Sequence, residues 1–287
     1  MKGLVRVDIA AYLKRINYDG PLAPTSGTLR RLHVAHLLTV PFENLSIQSE
    51  ERIVLEDEAL FEKIVRLRRG GFCYELNGLF AALLRALGFD VAMLSARVAS
   101  GEGEFGPEFD HMTLLVTLSE RWLVDAGFGD SFREPLLLDE RAEQLQGRRA
   151  YRIDEASDGR LILMQRSEGG EWKAQYCFNL DPHVYGDYAG MCRYHQTSAE
   201  SHFTQRRICT LATEEGRMTL SEMRLMTTMG GERQERELVD EREYAEVLHE
   251  HFGIMAPGKK ASDAIKQWRA EKGVRRLLLD SHKSSLE

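Results

Sequence analysis

The 287-residue chain has few cysteines and no long apolar run. Cys73, Cys177, Cys192 and Cys209 lie far apart and form no Cys-x-x-Cys pair of the kind that zinc and iron–sulfur sites use. We therefore expect free thiols, no bound metal and a reducing, cytoplasmic location. No stretch approaches the roughly 18 apolar residues that cross a bilayer, so we expect no membrane partner.

The chain also lacks an excess of basic residues, because 38 Lys and Arg against 45 Asp and Glu give a formal net charge of −7. A protein that neutralises nucleic-acid phosphates needs a broad cationic surface, so we expect no nucleic-acid partner. With 43% hydrophobic and 29% charged residues, the composition is that of an ordinary globular protein. Its length suits two or three domains and a core that needs no disulfides.

The spacing of apolar residues changes along the chain. Up to about residue 90 it is helical, and the clearest stripe runs from Leu76 to Leu87, just before Gly88. From Val91 onward, short runs rich in Val, Leu and Thr are separated by glycine and proline, which predicts an antiparallel sheet or small barrel. After about Asp181 the pattern is mixed.

In that last part, apolar runs at 203–212 and 218–226 predict strands, and Gly230-Gly231 predicts a turn. Amphipathic spacing predicts helices over 240–251 and 262–279. The spacing of apolar residues therefore predicts an α+β protein with a helical segment, a β segment and a mixed C-terminal segment.

One short segment, Arg69 to Asn77, places a reactive side chain at the start of a predicted helix. Gly70 and Gly71 allow a sharp turn there. Cys73 enters the helix where unpaired N–H groups and the positive dipole end favour a thiolate. Cys73 is therefore a candidate nucleophile, although a lone cysteine is more often a small core residue.

Two further segments offer a base and an acid. His111 begins a predicted strand, and Asp125 follows the apolar run that ends the next one. If the two strands form a hairpin, Asp125 lies opposite residues 112–114. With Thr113 as its partner, Asp125 is a diagonal neighbour of His111 on one face, whereas a slip of one residue separates them.

Together these side chains predict a Cys–His–Asp triad. Cys73 is the nucleophile, and His111 either deprotonates it or already holds it as a thiolate–imidazolium pair. Asp125 fixes the tautomer of the imidazole and stabilises its positive charge. Backbone N–H groups around Cys73 could stabilise an oxyanion.

The sequence resembles the arylamine N-acetyltransferases along nearly its whole length, with no departure from their triad. The matching segments are 41–45, 69–77, 110–111, 124–129, 196–198 and 203–204. The resemblance implies an N-terminal helical bundle, a central antiparallel β-barrel and a C-terminal α/β lid. We place these parts at residues 1–90, 91–190 and 191–287.

The resemblance also implies a ping-pong reaction without a metal. Cys73 takes acetyl from acetyl-coenzyme A, coenzyme A leaves, and an arylamine, arylhydrazine or arylhydroxylamine accepts the group. His111 and Asp125 carry the remaining triad roles. A thioester-to-thioester exchange is nearly balanced in energy, which suits a cysteine nucleophile.

Further site residues follow from the same resemblance. Phe42, Phe128 and Phe203 match positions that line the acceptor pocket, where flat apolar acceptors suit aromatic walls. Gly127 and Gly129 look like the turn at which the pantetheine and pyrophosphate of coenzyme A approach backbone amides.

Three other residues have lesser roles in this interpretation. Tyr194 resembles a coenzyme-contacting tyrosine of some family members. Glu43 and Arg69 would form a buried bidentate ion pair that braces the cysteine turn. That pair is structural, so removing either partner should affect stability more than chemistry.

Two other classes of function remain open from the residues alone. A cysteine hydrolase or transglutaminase-like enzyme uses the same order of Cys, His and Asp, although the protease signature Cys-Gly-Ser-Cys-Trp is absent. A small-molecule binding or scaffold protein could carry an inert triad. Acetyl transfer requires that acetyl-Cys73 be protected from water, which a C-terminal lid would do. Nothing in the sequence predicts an oligomeric state.

Overall fold

A computed structural model of the protein describes residues 7–100 and 104–255. Within these residues the α-helices are α1 (Ile9–Arg15), α2 (Ser26–Leu37), α3 (Leu45–Gln48), α4 (Asp57–Phe61), α5 (Cys73–Ala86), α6 (Tyr185–Thr197), α7 (His202–Gln205) and α8 (Glu241–Phe252), and a π-helical turn, Glu62–Arg66, continues α4. The strands are β1 (Phe42–Glu43), β2 (Asp90–Val98), β3 (His111–Thr117), β4 (Arg121–Val124), β5 (Leu136–Leu137), β6 (Gln144–Gln146), β7 (Arg149–Glu155), β8 (Leu161–Ser167), β9 (Lys173–His183), β10 (Ile208–Thr213), β11 (Gly216–Ser221), β12 (Arg224–Met229) and β13 (Glu232–Glu237). The predicted helix over 262–279 lies outside the described residues.

Several helices form before residue 90, where the apolar spacing is helical. Asp8 caps α1 by accepting a hydrogen bond from the N–H of Ala11, and Thr25 caps α2 in the same way. Helix α5 buries nearly its whole length and ends before Gly88, which adopts the left-handed φ of +90° that glycine tolerates. It is the central element of the largest apolar cluster.

Eight strands form one antiparallel sheet in the order β5-β4-β3-β2-β9-β8-β7-β6, which nearly closes into a barrel. Side chains bridge its two end strands. The Gln144 amide accepts from the N–H of Leu137 at 2.8 Å and donates to the carbonyl of Leu137 at 2.9 Å. Glutamine side chains thus replace missing backbone pairing, and apolar side chains fill the interior.

A second antiparallel sheet, in the order β1-β10-β11-β12-β13, packs against α8. The prediction of one strand over 203–212 is wrong in its first half, because Ser201 caps the short helix α7 and the strand begins only at Ile208. The run at 218–226 is two strands joined at Glu222, and Gly230-Gly231 is a turn.

Some helices and strands of the three predicted parts, 1–90, 91–190 and 191–287, pack or pair with elements of another part. Strand β1 comes from the N-terminal part but pairs with β10, so that Phe42 lies opposite Thr210. Helix α6, which has too few apolar residues for a visible stripe, was not predicted. It buries Tyr188 and Cys192 in the cluster around α5. The predicted boundaries at 90 and 190 stay predictions.

The helices in the described part of the chain are all too short or too polar to cross a membrane.

Candidate active site

The cysteine turn is built by close backbone approach. A Cβ atom on Gly70 would lie 2.0 Å from the carbonyl oxygen of Pro41, so only glycine fits beside the strand that contains Phe42. The Glu75 carboxylate accepts from the N–H of Phe72 at 3.2 Å and from Lys63 Nζ at 2.7 Å. These contacts fix the first turn of α5.

Cys73 is the first residue of α5 and is buried. Burial raises the pKa of the Cys73 thiol well above its ordinary value, and the carboxylates of Asp125 and Asp110 raise it further, whereas a backbone contact at Met112 lowers it. Burial thus opposes the stabilisation that the helix start offers to a thiolate. A thiolate here needs a neighbouring group that takes the proton.

The register of the β3–β4 hairpin brings the acid to the histidine. Leu114 lies opposite Val124 in the last pair of the ladder, and Asp125 follows directly, while the Thr113 hydroxyl donates to the carbonyl of Val124 at 3.2 Å. His111 and Asp125 consequently share a face, with His111 Nε2 2.7 Å from Asp125 Oδ2. Because a carboxylate only accepts, Nε2 carries the proton and Nδ1 is left as the basic nitrogen.

Asp125 is buried and held by several donors. Its Oδ2 accepts from His111 Nε2 and from the Tyr176 hydroxyl at 2.9 Å, and its Oδ1 accepts from Asn77 Nδ2 at 2.9 Å and from the N–H of Gly127 at 3.0 Å. Burial acts to raise the pKa of Asp125, but His111, Asn77 and Gly127 hold it below its ordinary value. The acid is therefore charged and fixed in orientation.

The sequence interpretation missed Asn77 and Tyr176. Asn77 lies one helical turn after Cys73, on the same face, and its Oδ1 also accepts from the N–H of Ala126 at 2.8 Å. Its place within the cysteine motif was a usable signal. Tyr176 comes from β9, far from the triad in sequence, and nothing in the sequence points to it.

His33 of α2 contacts the backbone of the acid. Its Nδ1 donates to the carbonyl of Arg133 at 2.7 Å, and its Nε2 accepts from the N–H of Asp125 at 3.3 Å. Burial lowers the pKa of His33, which keeps the ring neutral as this arrangement requires. The ring stacks on Phe132 with centroids 5.8 Å apart.

Both glycines of the turn after Asp125 line the cavity, and Gly127 also packs against α5. A Cβ on Gly127 would lie 2.8 Å from the Cα of Cys73, and its N–H already donates to Asp125. Gly127 thus lets the turn contact α5, and its amide is not available to a ligand. Gly129, with a left-handed φ of +88°, lines the cavity.

Cys73 and His111 open onto a cavity of about 370 Å³, within the usual size range of small-molecule sites. The expected residues Phe42, Phe128 and Phe203 line it. The rings of Phe42 and Phe203 are 6.1 Å apart, and Phe128 packs edge-on against His111 at 5.1 Å. Within the described residues, the cavity wall does not include Tyr194, whose ring is partly exposed.

A second acid–histidine contact lies in the same cavity wall. Asp110 Oδ1 is 3.2 Å from Nε2 of the buried His195, whose Nδ1 is 3.1 Å from the Ser201 hydroxyl. The preceding Phe109 has a left-handed φ of +64°, a strained value for this residue type. The Tyr74 hydroxyl holds that conformation by donating to the carbonyl of Phe109 at 2.5 Å.

Glu43 and Arg69 form a buried ion pair, but it is not the predicted bidentate fork. Arg69 Nε and Nη2 both approach Glu43 Oε1, each at 2.9 Å. Glu43 Oε2 instead accepts from the N–H of Leu45 at 2.7 Å. The pair thereby connects the cysteine turn to β1 and α3.

No cluster of three or more His, Cys, Asp or Glu side chains in the described residues is arranged to hold a metal ion.

The chain is similar to known proteins over most of its length. A family model described as N-acetyltransferase matches residues 25–261. The arylamine N-acetyltransferase of Escherichia coli K12 is 32% identical over 247 residues, which cover 85% of this chain and 87% of that protein.

A second relative, from Salmonella typhimurium, is named arylamine N-acetyltransferase / N-hydroxyarylamine O-acetyltransferase. It is 34% identical over 214 residues, covering 74% of this chain and 75% of that protein. Among solved structures, the arylamine N-acetyltransferase of Mycobacterium marinum in complex with CoA has a TM-score of 0.80 at 32% identity, covering 92% of this chain and 97% of that one.

Proposed function

Because the chain belongs to the arylamine N-acetyltransferase family and is therefore an acyltransferase, we propose that it transfers acetyl from acetyl-coenzyme A to an aromatic acceptor through Cys73. The main support is that Cys73 and His111 open onto one cavity while Asp125 is bonded to His111. Family membership also favours acyl transfer over the hydrolase and the inert scaffold.

In the first half of the reaction, His111 Nδ1 takes the thiol proton as Cys73 Sγ attacks the thioester carbonyl of the donor. Asp125 stabilises the imidazolium, because its charge lies 2.7 Å from Nε2. The tetrahedral intermediate then breaks its bond to the sulfur of coenzyme A, which leaves with the proton from His111. Acetyl-Cys73 and free coenzyme A result.

In the second half, a neutral amine attacks acetyl-Cys73. His111 Nδ1 removes a proton from the attacking nitrogen, and the bond from the carbonyl carbon to Cys73 Sγ breaks. The proton returns to the sulfur, and the amide is released. A protonated amine has no lone pair to attack, so weakly basic aromatic amines suit this site at neutral pH.

The developing oxyanion needs donors near Cys73. The N–H of Phe72 is used by Glu75, and that of Gly127 by Asp125. The N–H groups of Cys73 and Tyr74 are the better candidates, since a helix supplies no acceptor to its first N–H groups. A well-placed donor contributes about 3 to 4 kcal/mol to transition-state stabilisation.

The acceptor classes that we propose are arylamines, arylhydrazines and arylhydroxylamines. Three aromatic side chains of the cavity wall, those of Phe42, Phe128 and Phe203, provide an apolar surface for an aromatic acceptor. The two bacterial relatives, an arylamine N-acetyltransferase and an arylamine N-acetyltransferase / N-hydroxyarylamine O-acetyltransferase, support amine and hydroxylamine acceptors. We further propose a reducing, cytoplasmic location, which would preserve the free Cys73 thiol.

Mass spectrometry after mixing the protein with acetyl-coenzyme A tests the proposal. We expect one added acetyl group, on the peptide that contains Cys73, and loss of that group when an arylamine such as 4-aminobenzoate is added. Cys73→Ala should abolish both steps, whereas the control Cys177→Ala should not. An unmodified Cys73 during turnover, or full activity of Cys73→Ala, would refute the mechanism.

A further inference from the structure

Two arginines, Arg149 and Arg217, hold the Asp130 carboxylate in the cavity wall, and a third, Arg133, adds its charge near Arg217. Arg149 donates to Asp130 through two nitrogens, at 2.6 and 3.0 Å, and Arg217 Nε donates to the same carboxylate at 3.0 Å. Arg217 Nη1 donates to the Thr210 hydroxyl at 3.1 Å. In the described part of the chain Arg217 Nη2 has no hydrogen-bond acceptor, so one edge of this guanidinium is available.

The third arginine, Arg133, is bonded to backbone oxygens. Its Nη1 donates to the carbonyl of Glu214 at 2.6 Å and its Nη2 to that of Gly216 at 2.7 Å. Among residues 7–100 and 104–255 it forms no ion pair with a carboxylate. Arg133 consequently adds a positive charge next to Arg217 without adding a negative one.

The cluster thus has three positive charges and one negative charge, in a chain with an overall net charge of −7. Burial lowers the pKa of Arg217, and the charges of Arg149 and Arg133 lower it further, although Asp130 acts in the opposite direction. Asp130 compensates part of this positive charge, and a further anion at the unused edge of Arg217 would compensate more of it. The cluster is therefore well suited to an anionic ligand.

Arg217 and Asp130 line the same cavity as Cys73. In the described residues Arg217 is the single arginine or lysine of that wall, which also contains the carboxylates of Asp110 and Asp130. The acyl donor carries its thioester on a long neutral pantetheine arm and its phosphates at the far end. A donor with its thioester at Cys73 therefore has to leave its phosphates at a more distant point of the cavity wall or mouth.

We propose that Arg217, flanked by Arg149 and Arg133, binds a phosphate group of the acyl donor. This site rests on the proposed function, since it assumes that coenzyme A enters through this cavity. Guanidinium groups suit phosphate because their N–H groups match pairs of phosphate oxygens. Asp130 orients Arg217 while leaving the cluster with a positive charge.

The test compares acetyl-coenzyme A with S-acetylpantetheine, which has the same thioester and no phosphate. For Arg217→Gln we expect kcat/KM to fall at least about tenfold more with acetyl-coenzyme A than with S-acetylpantetheine. Arg149→Gln should show the same selective loss to a smaller degree. The matched control Arg224→Gln, which removes an exposed arginine of the same sheet from outside the cavity, should show no such selectivity.

Equal losses with both donors would overturn the proposal, because they would indicate a structural role for Arg217. A carboxylate-bearing acceptor is the other source of an anion. A loss confined to 4-aminobenzoate, absent with its neutral isostere 4-aminobenzamide, would assign the site to the acceptor and also overturn the proposal.

Calorimetry separates failure of this site from failure of the proposed function. We expect coenzyme A to bind the native protein at least about tenfold more tightly than pantetheine, and Arg217→Gln to remove most of that difference. This result can hold even if Cys73 takes no acetyl group. Equal affinity of the native protein for coenzyme A and pantetheine would overturn the phosphate site alone.

Discussion

Replacing Glu43 with glutamine should destabilise the fold while leaving the chemistry of each folded molecule nearly intact. Glu43 is fully buried; its Oε1 accepts a hydrogen bond from Arg69 Nε at 2.9 Å and lies at the same distance from Arg69 Nη2. Glu43→Gln retains the shape and the oxygen that accepts from Leu45 but removes the charge. The Arg69 guanidinium then stays buried with its remaining partners, Ser46 at 3.3 Å and the half-exposed Glu51 at 3.4 Å.

Leaving one member of a buried ion pair without its partner costs about 3 to 5 kcal/mol. The stability of a domain is about 5 to 15 kcal/mol, so Glu43→Gln should lose a large share of it. The double variant Glu43→Gln/Arg69→Met should lose less than the sum of the single variants, because it removes the uncompensated charge. Glu51→Gln is the matched control and should lose less than about 1 kcal/mol, since that carboxylate is half exposed.

Urea unfolding at pH 7 measures the stability loss, and acetyl transfer per folded molecule measures the chemistry. Burial acts to raise the pKa of Glu43, but Lys63 and Arg69 lower it below its ordinary value. The stabilisation is therefore present above the unfolded-state pKa and is lost as pH falls through the folded-state pKa. The difference in the free energy of unfolding between the native protein and Glu43→Gln should therefore become smaller as the pH is lowered. A loss below about 1 kcal/mol at pH 7, or inactive but fully stable protein, would contradict a structural role.

Two further predictions concern the site itself. His111→Gln keeps a donor for Asp125 but no base, so alkylation of Cys73 by iodoacetamide at pH 7 should slow by at least about tenfold, because burial raises the thiol pKa. The alkylation rate of His111→Gln should then increase with pH as the thiolate forms. Equal alkylation rates in the native protein and the variant at pH 7 would show that His111 does not help to deprotonate Cys73. Gly127→Ala forces a Cβ to within 2.8 Å of the Cys73 Cα, so kcat should fall by about a hundredfold. The control Gly186→Ala, with no atom within 4 Å of its Cβ, should keep full activity, and an active Gly127→Ala would refute the close-packing argument.

Local sequence signals predicted the parts of the site that lie within one element or one hairpin. Cys73 lies within one element, at the start of a helix, and His111 and Asp125 are brought together by one hairpin. Tyr176 and Arg217 reach the site through pairing between distant strands, which leaves no local pattern.

For the fold as well, local sequence patterns predict the elements with regular apolar spacing and miss those that depend on distant contacts. The helices around residue 80 and the strands after residue 90 follow from regular apolar spacing, and both form. Helix α6 was missed because it has only a few buried side chains, which make no continuous stripe. Strand β1 is two residues long and exists because β10 pairs with it, so tertiary contacts decide its conformation.

The hydrogen bonds of Asp125 also determine when during folding the site can exist. They join it to Asn77, Tyr176 and His33, which are 48, 51 and 92 residues away in sequence. Such non-local contacts form late, because long loops must close before they are made. Catalytic competence should thus be the last property gained in refolding and the first lost in partial unfolding. Activity becomes a sensitive reporter of whether the helices have docked onto the eight-stranded sheet.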